Sequence, residues 1–188
     1  MGTEVKVDRR IVKSREAINK AFMELFLAKP FEQITIHDIA DRANVNRGTV
    51  YLHYSDKYEL LDKSIETHMG ELLTFCNLHD VGPEPASQTP VFDRIFRFFE
   101  ENFPFFETLF AGQRSFVFRD RLLAFLAESV ERKLNAKSGA SSSDNEIKAQ
   151  FLASSFTGVV EWWIRRRMPH PPSHMAEQLT VLFERNGI

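Results

Sequence analysis

The chain has 188 residues and a mass of 21.8 kDa, enough for one domain or two small ones with a real buried core. Its 43% hydrophobic and 27% charged residues exclude disordered and collagen-like classes. A net charge of −2 excludes a uniformly basic nucleic-acid binder, so any such role must rest on local charge.

Basic residues open the chain. Arg9, Arg10, Lys13 and Arg15 cluster there and can reach DNA as an arm or as a helix start, or stay a solvated tail. Arg10 to Ala28 reads as one helix, with Ile11, Ala17, Ile18, Ala21, Phe22, Leu25 and Phe26 as its apolar stripe and Pro30 as its stop. Phe31 and Ile34 then plug the joint.

Thr35 to Lys57, TIHDIADRANVNRGTVYLHYSDK, spells two short helices and a tight turn, the pattern of a helix-turn-helix DNA reader. Thr35 and Asp38 are spaced as a capping box, and Ile36, Ile39, Ala40 and Ala43 recur on one buried face. The turn needs a residue at positive φ, and Asn44 tolerates it best among non-glycine types. Val45 fills the gap between the helices, Asn46 can cap the second, and Val50 faces inward. That second helix offers Arg47, Thr49, Tyr51, His53 and Lys57, with Gly48 leaving room for close approach. Arginine suits guanine edges, threonine a thymine methyl or a phosphate, and tyrosine, histidine and lysine phosphate oxygens. A merely solvated face would balance Glu against Lys, yet no acidic residue stands between Asn46 and Ser55.

At these residues the chain resembles the tetracycline-repressor (TetR) family of bacterial regulators. The resemblance is carried by Ile34 to Ala43 with Val45, then Arg47, Gly48, Thr49, Val50, Tyr51, His53, Tyr54, Lys57, Leu60 and Leu61, after an amphipathic first helix. The run NRGTVYLHYSDKYELL, and the ending GVVEWWIRRRMPHPPSHMAEQL, look like the branch in which Asn-Arg precedes the recognition helix. The resemblance implies phosphate contacts from Thr35, Tyr51, His53 and Lys57. It implies base contacts from Arg47, Gly48 and Thr49, with His37 from the preceding helix. Asn44 for the usual Gly, Tyr54 for the commoner Phe, and Leu52 at an often polar or aromatic position are departures.

Beyond the reader, Ser55 is expected to cap a helix continued by Leu60, Leu61, Ile65, Met69, Leu72 and Leu73. Gly82, Pro83, Pro85 and Pro90 break the helical pattern from His79 to Pro90. FDRIFRFFEENF follows, with a break at Pro104, then FFETLFAG, a helix from Ser115 to Leu134, and a flexible loop from Lys137 to Asp144. A helix to Arg167 and a last one from Ser173 to Glu184 complete the chain. No period-2 apolar stretch appears, so the fold is read as all-α. An N-terminal three-helix DNA-binding domain, 1–54, is expected before a C-terminal helical bundle, 55–188.

Of eighteen phenylalanines, ten fall from Phe96 to Phe125, and these read either as plain core or as the lining of a cavity for a small apolar effector. The candidate lining is Phe99, Phe103, Phe106, Phe125 and Trp162. Small residues among bulky ones on the penultimate helix, Phe151, Ser155, Gly158 and Val159, join Met175, Leu179 and Leu182 as a candidate homodimer interface, with intramolecular burial as the alternative.

The expected function is therefore a ligand-responsive regulator, most simply a repressor that binds a near-palindromic double-stranded DNA operator as a dimer and is released by the effector. An activator controlled by a docking protein is the alternative. No P-loop, dinucleotide turn, nucleophile elbow or HExxH is present, so no enzyme activity, cofactor or metal is expected. His170 and His174 are split by Pro171 and Pro172. No apolar run approaches a bilayer span and the first residues lack a secretion core, so the expected location is cytoplasmic. Cys76, the one cysteine, reads as a small buried apolar residue.

Overall fold

A computed structural model describes residues 9–77, 91–138 and 143–185, and there the chain is all-helical, with no strand. The break expected from His79 to Pro90, the middle of the expected loop at 139–142 and the side chain of Cys76 lie outside the described residues. Two compact units meet between Thr67 and His68, inside a helix, whereas the sequence places the division at 54/55, before that helix.

In the first unit α1 (Arg9–Ala28), α2 (Ile36–Ala43) and α3 (Arg47–His53) pack against one another. Ile18, Ala21, Phe22, Leu25 and Phe26 recur at helical spacing on α1 and are buried. Ile11, expected in that stripe, is exposed, because the buried face begins only at Ile18, two turns on. After Pro30 a single 3-10 turn, Phe31–Gln33, carries Phe31 against Phe22 and Phe26 at ring separations of 6.4 and 6.2 Å. Edge-on ring pairs of this kind add to the apolar burial.

Next comes α4 (Lys57–Asn77). Its cap is Asp56, not the expected Ser55: Asp56 Oδ1 accepts the N–H groups of Tyr58 and Glu59 at 2.8 and 2.9 Å. Ser55 instead donates its N–H and hydroxyl to the Glu59 carboxylate, and those bonds hold the Glu59 pKa below its ordinary value.

The second unit comprises the rest of α4 with α5 (Val91–Glu101), α6 (Phe103–Ala111), α7 (Ser115–Ser138), α8 (Ser143–Arg165) and α9 (Pro172–Arg185). Within it α7 packs along α8, α5 along α9, and α6 against α8. Pro104 does not break the chain as expected. It stands in the first turn of α6, where its missing N–H costs nothing, and the break falls at Asn102. α8 ends where Arg167 and Met168 take φ of 55° and 56°, with Met168 N–H bonded to the Trp163 carbonyl at 2.8 Å. Left-handed backbone at such residues costs about 1–2 kcal/mol each, offset here by satisfied terminal carbonyls.

Candidate nucleic-acid interface

The turn between α2 and α3 is built from local chemistry. Thr35 Oγ1 accepts the Asp38 N–H at 3.1 Å while Asp38 Oδ2 accepts the Thr35 N–H at 2.9 Å, a complete capping box at the start of α2. Lys29 Nζ reaches the same carboxylate oxygen at 2.8 Å. That bond, followed by those from Thr35, holds the Asp38 carboxyl at about 2 against an ordinary 3.8. At the other end Asn44 takes φ 52°, ψ 49°. Its N–H meets the Asp41 carbonyl, and Val45 N–H meets that of Ala40, the paired bonds of a helix closed by a left-handed residue.

Buried contacts then fix α3. Val50 is fully buried, Tyr54 Oη donates to Asn19 Oδ1 at 2.6 Å, and Ser14 Oγ and His53 Nε2 share a hydrogen bond of 2.7 Å. Burial pushes the Tyr54 phenol up, so it stays a neutral donor. With α3 held to α1 in this way, Arg47, Gly48, Tyr51 and Leu52 form an exposed face, and Thr49 sits half-buried beside it. A Cβ at Gly48 would meet nothing within 4 Å, so the fold itself does not require glycine there. Leu52 is 84% exposed, and such a leucine suits a thymine methyl. From the sequence it is expected only as a departure at an often polar or aromatic position.

The other expected contacts divide between exposed side chains and ones with internal bonds. Asn46 stands at the N-cap of α3 but its side chain makes no capping bond, contrary to expectation. His37 is exposed and lies 3.4 Å from the Asp41 carboxylate. Arg10 is exposed in the first turn of α1. The Thr35 hydroxyl is engaged with Asp38. Lys57 differs most from expectation. Its ammonium donates to the carbonyls of Phe31, Glu32 and Ile34, each at 2.9 Å, and lies 4.8 Å from the Phe31 ring centre. Three donors meeting three carbonyls make Lys57 a clamp on the 3-10 turn, a duty beyond the phosphate contact expected of it.

The second unit holds a cavity of about 550 Å³ between α5, α7, α8 and α9. Of the five expected lining residues only Phe125 borders it. Phe99 and Phe106 are fully buried in a cluster with Phe98, Phe105, Phe110 and Phe118, whose ring centres lie 4.8–6.5 Å apart. Phe103 lies under the Arg167 guanidinium. Trp162 is 43% exposed, and the buried indole is that of Trp163, which donates to the His170 carbonyl at 2.8 Å.

The residues expected at a dimer interface also divide. Met175 and Leu179 are buried inside their own chain, on the helix that packs along α5, so they are not free to meet a partner. Phe151, Gly158 and Leu182 are exposed, and Ser155 and Val159 half-exposed. Ile147, Trp162 and Val181, not expected there, are exposed as well.

An acid-free recognition helix presented by a helix-turn-helix, ahead of a separate helical unit, defines the class as a DNA-binding regulator. Comparison with known proteins agrees. Residues 18–63 match "Bacterial regulatory proteins, tetR family", and residues 87–185 match "Transcriptional regulator C-terminal region" of the same family. The chain belongs to the TetR family of transcriptional regulators. It is 41% identical over 71 residues to the HTH-type transcriptional regulator YxbF of Bacillus subtilis, covering 37% of this chain and 19% of that protein. It is 25% identical over 108 residues to the dhaKLM operon transcriptional activator DhaS of Lactococcus lactis, covering 57% of this chain and 54% of that one. The chain thus spans about a fifth and about half of the lengths of these two relatives. A solved TetR regulator from Streptococcus agalactiae is similar over 93% of this chain and 96% of its own, with 27% identity and a TM-score of 0.71. Among the described residues no helix is long and apolar enough to cross a membrane.

Proposed function

We propose that the protein is a ligand-responsive repressor that binds a near-palindromic operator as a homodimer and leaves it when a small, largely apolar effector binds. The observation that carries this reading is the exposed, acid-free face of α3, held on a rigid three-helix frame. Residues 1–54 act as the DNA reader and residues 55–188 as the effector and dimer region. Arg47 and Thr49 read base edges, Gly48 allows close approach, and Tyr51 and His53 with Thr35, His37 and Arg10 steady the backbone. Asn46 and Arg47, at the N-cap and first residue of the recognition helix, support placement in the Asn-Arg branch of the family.

A dimer formed through the exposed apolar strip of α8 and α9 presents two copies of α3. Set roughly 34–36 Å apart, they fit successive major grooves. An effector that prefers a different spacing must lower DNA affinity by linkage. Footprinting on DNA upstream of the protein's own coding region tests this. Two protected half-sites one turn apart are expected, and a single protected site, or none, contradicts it. The likeness to DhaS, named as an activator, favours a second reading in which the protein activates and a partner protein docks on the C-terminal unit. Protected half-sites that persist with every small apolar compound tried, alongside activation in a reporter assay, would select it.

A further inference from the structure

The cavity in the second unit is chemically lopsided. α5 contributes Val91, Phe92 and Ile95, α8 contributes Leu152, Ala153 and Phe156, and Phe183 comes from α9. Along α7 the lining runs from Phe125 and Leu126 through Ser129, Val130, Arg132 and Lys133 to Ala136, so its polar groups all follow the two bulky apolar ones. Ser129 stands three and four residues before Arg132 and Lys133, so the three polar groups share one face of the helix. Among the described residues two cations and a hydroxyl border the space, and no carboxylate does. Arg132 is paired with Glu128 at 3.1 Å, but both side chains are largely exposed. An exposed pair of this kind is weak and yields readily to a stronger acceptor.

We infer that this cavity takes an amphipathic anion, an apolar and preferably aromatic body of drug-like size whose carboxylate, phosphate or sulfonate head is held by Arg132, Lys133 and Ser129. The inference rests on the effector reading above and gives that effector its chemical class. A cavity of about 550 Å³ falls within the range of roughly 300–1,000 Å³ typical of small-molecule sites. The rings of Phe92, Phe125, Phe156 and Phe183 supply apolar area for the body. Arginine and lysine together supply charge-assisted hydrogen bonds to the head, which are about twice as strong as neutral ones.

The test uses a matched pair of fluorescent probes, anilinonaphthalene sulfonate and its uncharged analogue N-phenylnaphthylamine, titrated into the full chain. Saturable binding of one sulfonate per chain is expected, at least about tenfold tighter than the neutral probe. Arg132→Gln with Lys133→Gln, two exposed positions that leave the core alone, should erase that preference and keep the neutral probe bound. Ala153→Trp should fill the cavity and abolish both. Competition by naphthoate, naphthyl phosphate and naphthol then ranks the head groups. Equal affinity for both probes, or unchanged preference in the double variant, overturns the anion assignment and leaves a neutral effector possible. Failure of both probes to saturate the native chain overturns the cavity as a site and the effector reading with it. Naphthoate that binds through Arg132 and Lys133 without releasing DNA upholds this inference and removes the release mechanism alone.

Discussion

The Lys57 ammonium lies 2.9 Å from the carbonyl oxygen of Phe31 and 4.8 Å from the centre of its ring. The same ammonium holds the carbonyls of Glu32 and Ile34, so one side chain at the start of α4 closes the joint between α1 and α2. Lys57→Ala is expected to destabilise the protein by about 1–3 kcal/mol, because three acceptors lose a charged donor. The salt dependence of DNA binding should keep its slope. Lys57→Arg should rescue only in part, since a planar fork does not converge on three carbonyls as an ammonium does. Urea unfolding and a salt titration separate the cases, and a flattened slope at native stability would return Lys57 to the phosphates.

Gly48 gives the opposite signature. A Cβ there meets nothing in the fold, and alanine favours a helix over glycine by roughly 0.5–1 kcal/mol. Gly48→Ala should therefore unfold at slightly higher denaturant yet bind operator DNA more weakly. Thermal melting and fluorescence anisotropy on one preparation check both halves. Unchanged affinity would mean that the duplex does not approach this backbone.

Asp38 makes part of the stability depend on acid. Its carboxyl is held at about 2 by Lys29 first and Thr35 next, below an ordinary 3.8. A carboxylate with a lowered folded-state pKa contributes fully above the unfolded value, and the contribution is lost as pH falls through the folded one. The sensitive window therefore runs from near 4 down to about 2. Asp38→Asn should lower stability at neutral pH and flatten the decline across that window, modestly, because the Lys29 pair is partly solvated. Denaturant midpoints at closely spaced acidic pH values measure this, and an unchanged decline would assign it to other carboxylates.

Two phenylalanines distinguish core from cavity. Phe106→Ala removes a fully buried ring from a packed cluster and should cost about 3–5 kcal/mol. Phe125→Ala borders open space and should cost clearly less, while changing the affinity for cavity probes. Similar losses from both, with probe affinity unmoved, would contradict the division.

What the sequence made legible follows the reach of each interaction. The Thr35–Asp38 capping box and the left-handed Asn44 depend on residues within a turn of each other, so type and spacing suffice to place them. The Lys57 clamp joins carbonyls 23 to 26 residues away, and no local pattern announces it. Trp162 and Trp163 are neighbours on α8, where one step turns the side chain by about 100°, so a single position separates the exposed indole from the buried one. Met175 and Leu179 carry the apolar spacing of a packed face, but spacing does not say whether that face meets a partner or, as here, α5 of its own chain.

Under the proposed function, the exposed face of α3 reads base sequence through Arg47. The direct measurement is a fluorescence-anisotropy titration of native protein and Arg47→Ala against upstream and scrambled duplexes at two salt concentrations. Native protein should bind one upstream segment tightly, with affinity falling steeply as salt rises. Arg47→Ala should lose about 1–3 kcal/mol of preference for that segment while keeping its binding to scrambled DNA. Uniformly weak binding to every duplex, or a preference that survives Arg47→Ala intact, would contradict the account.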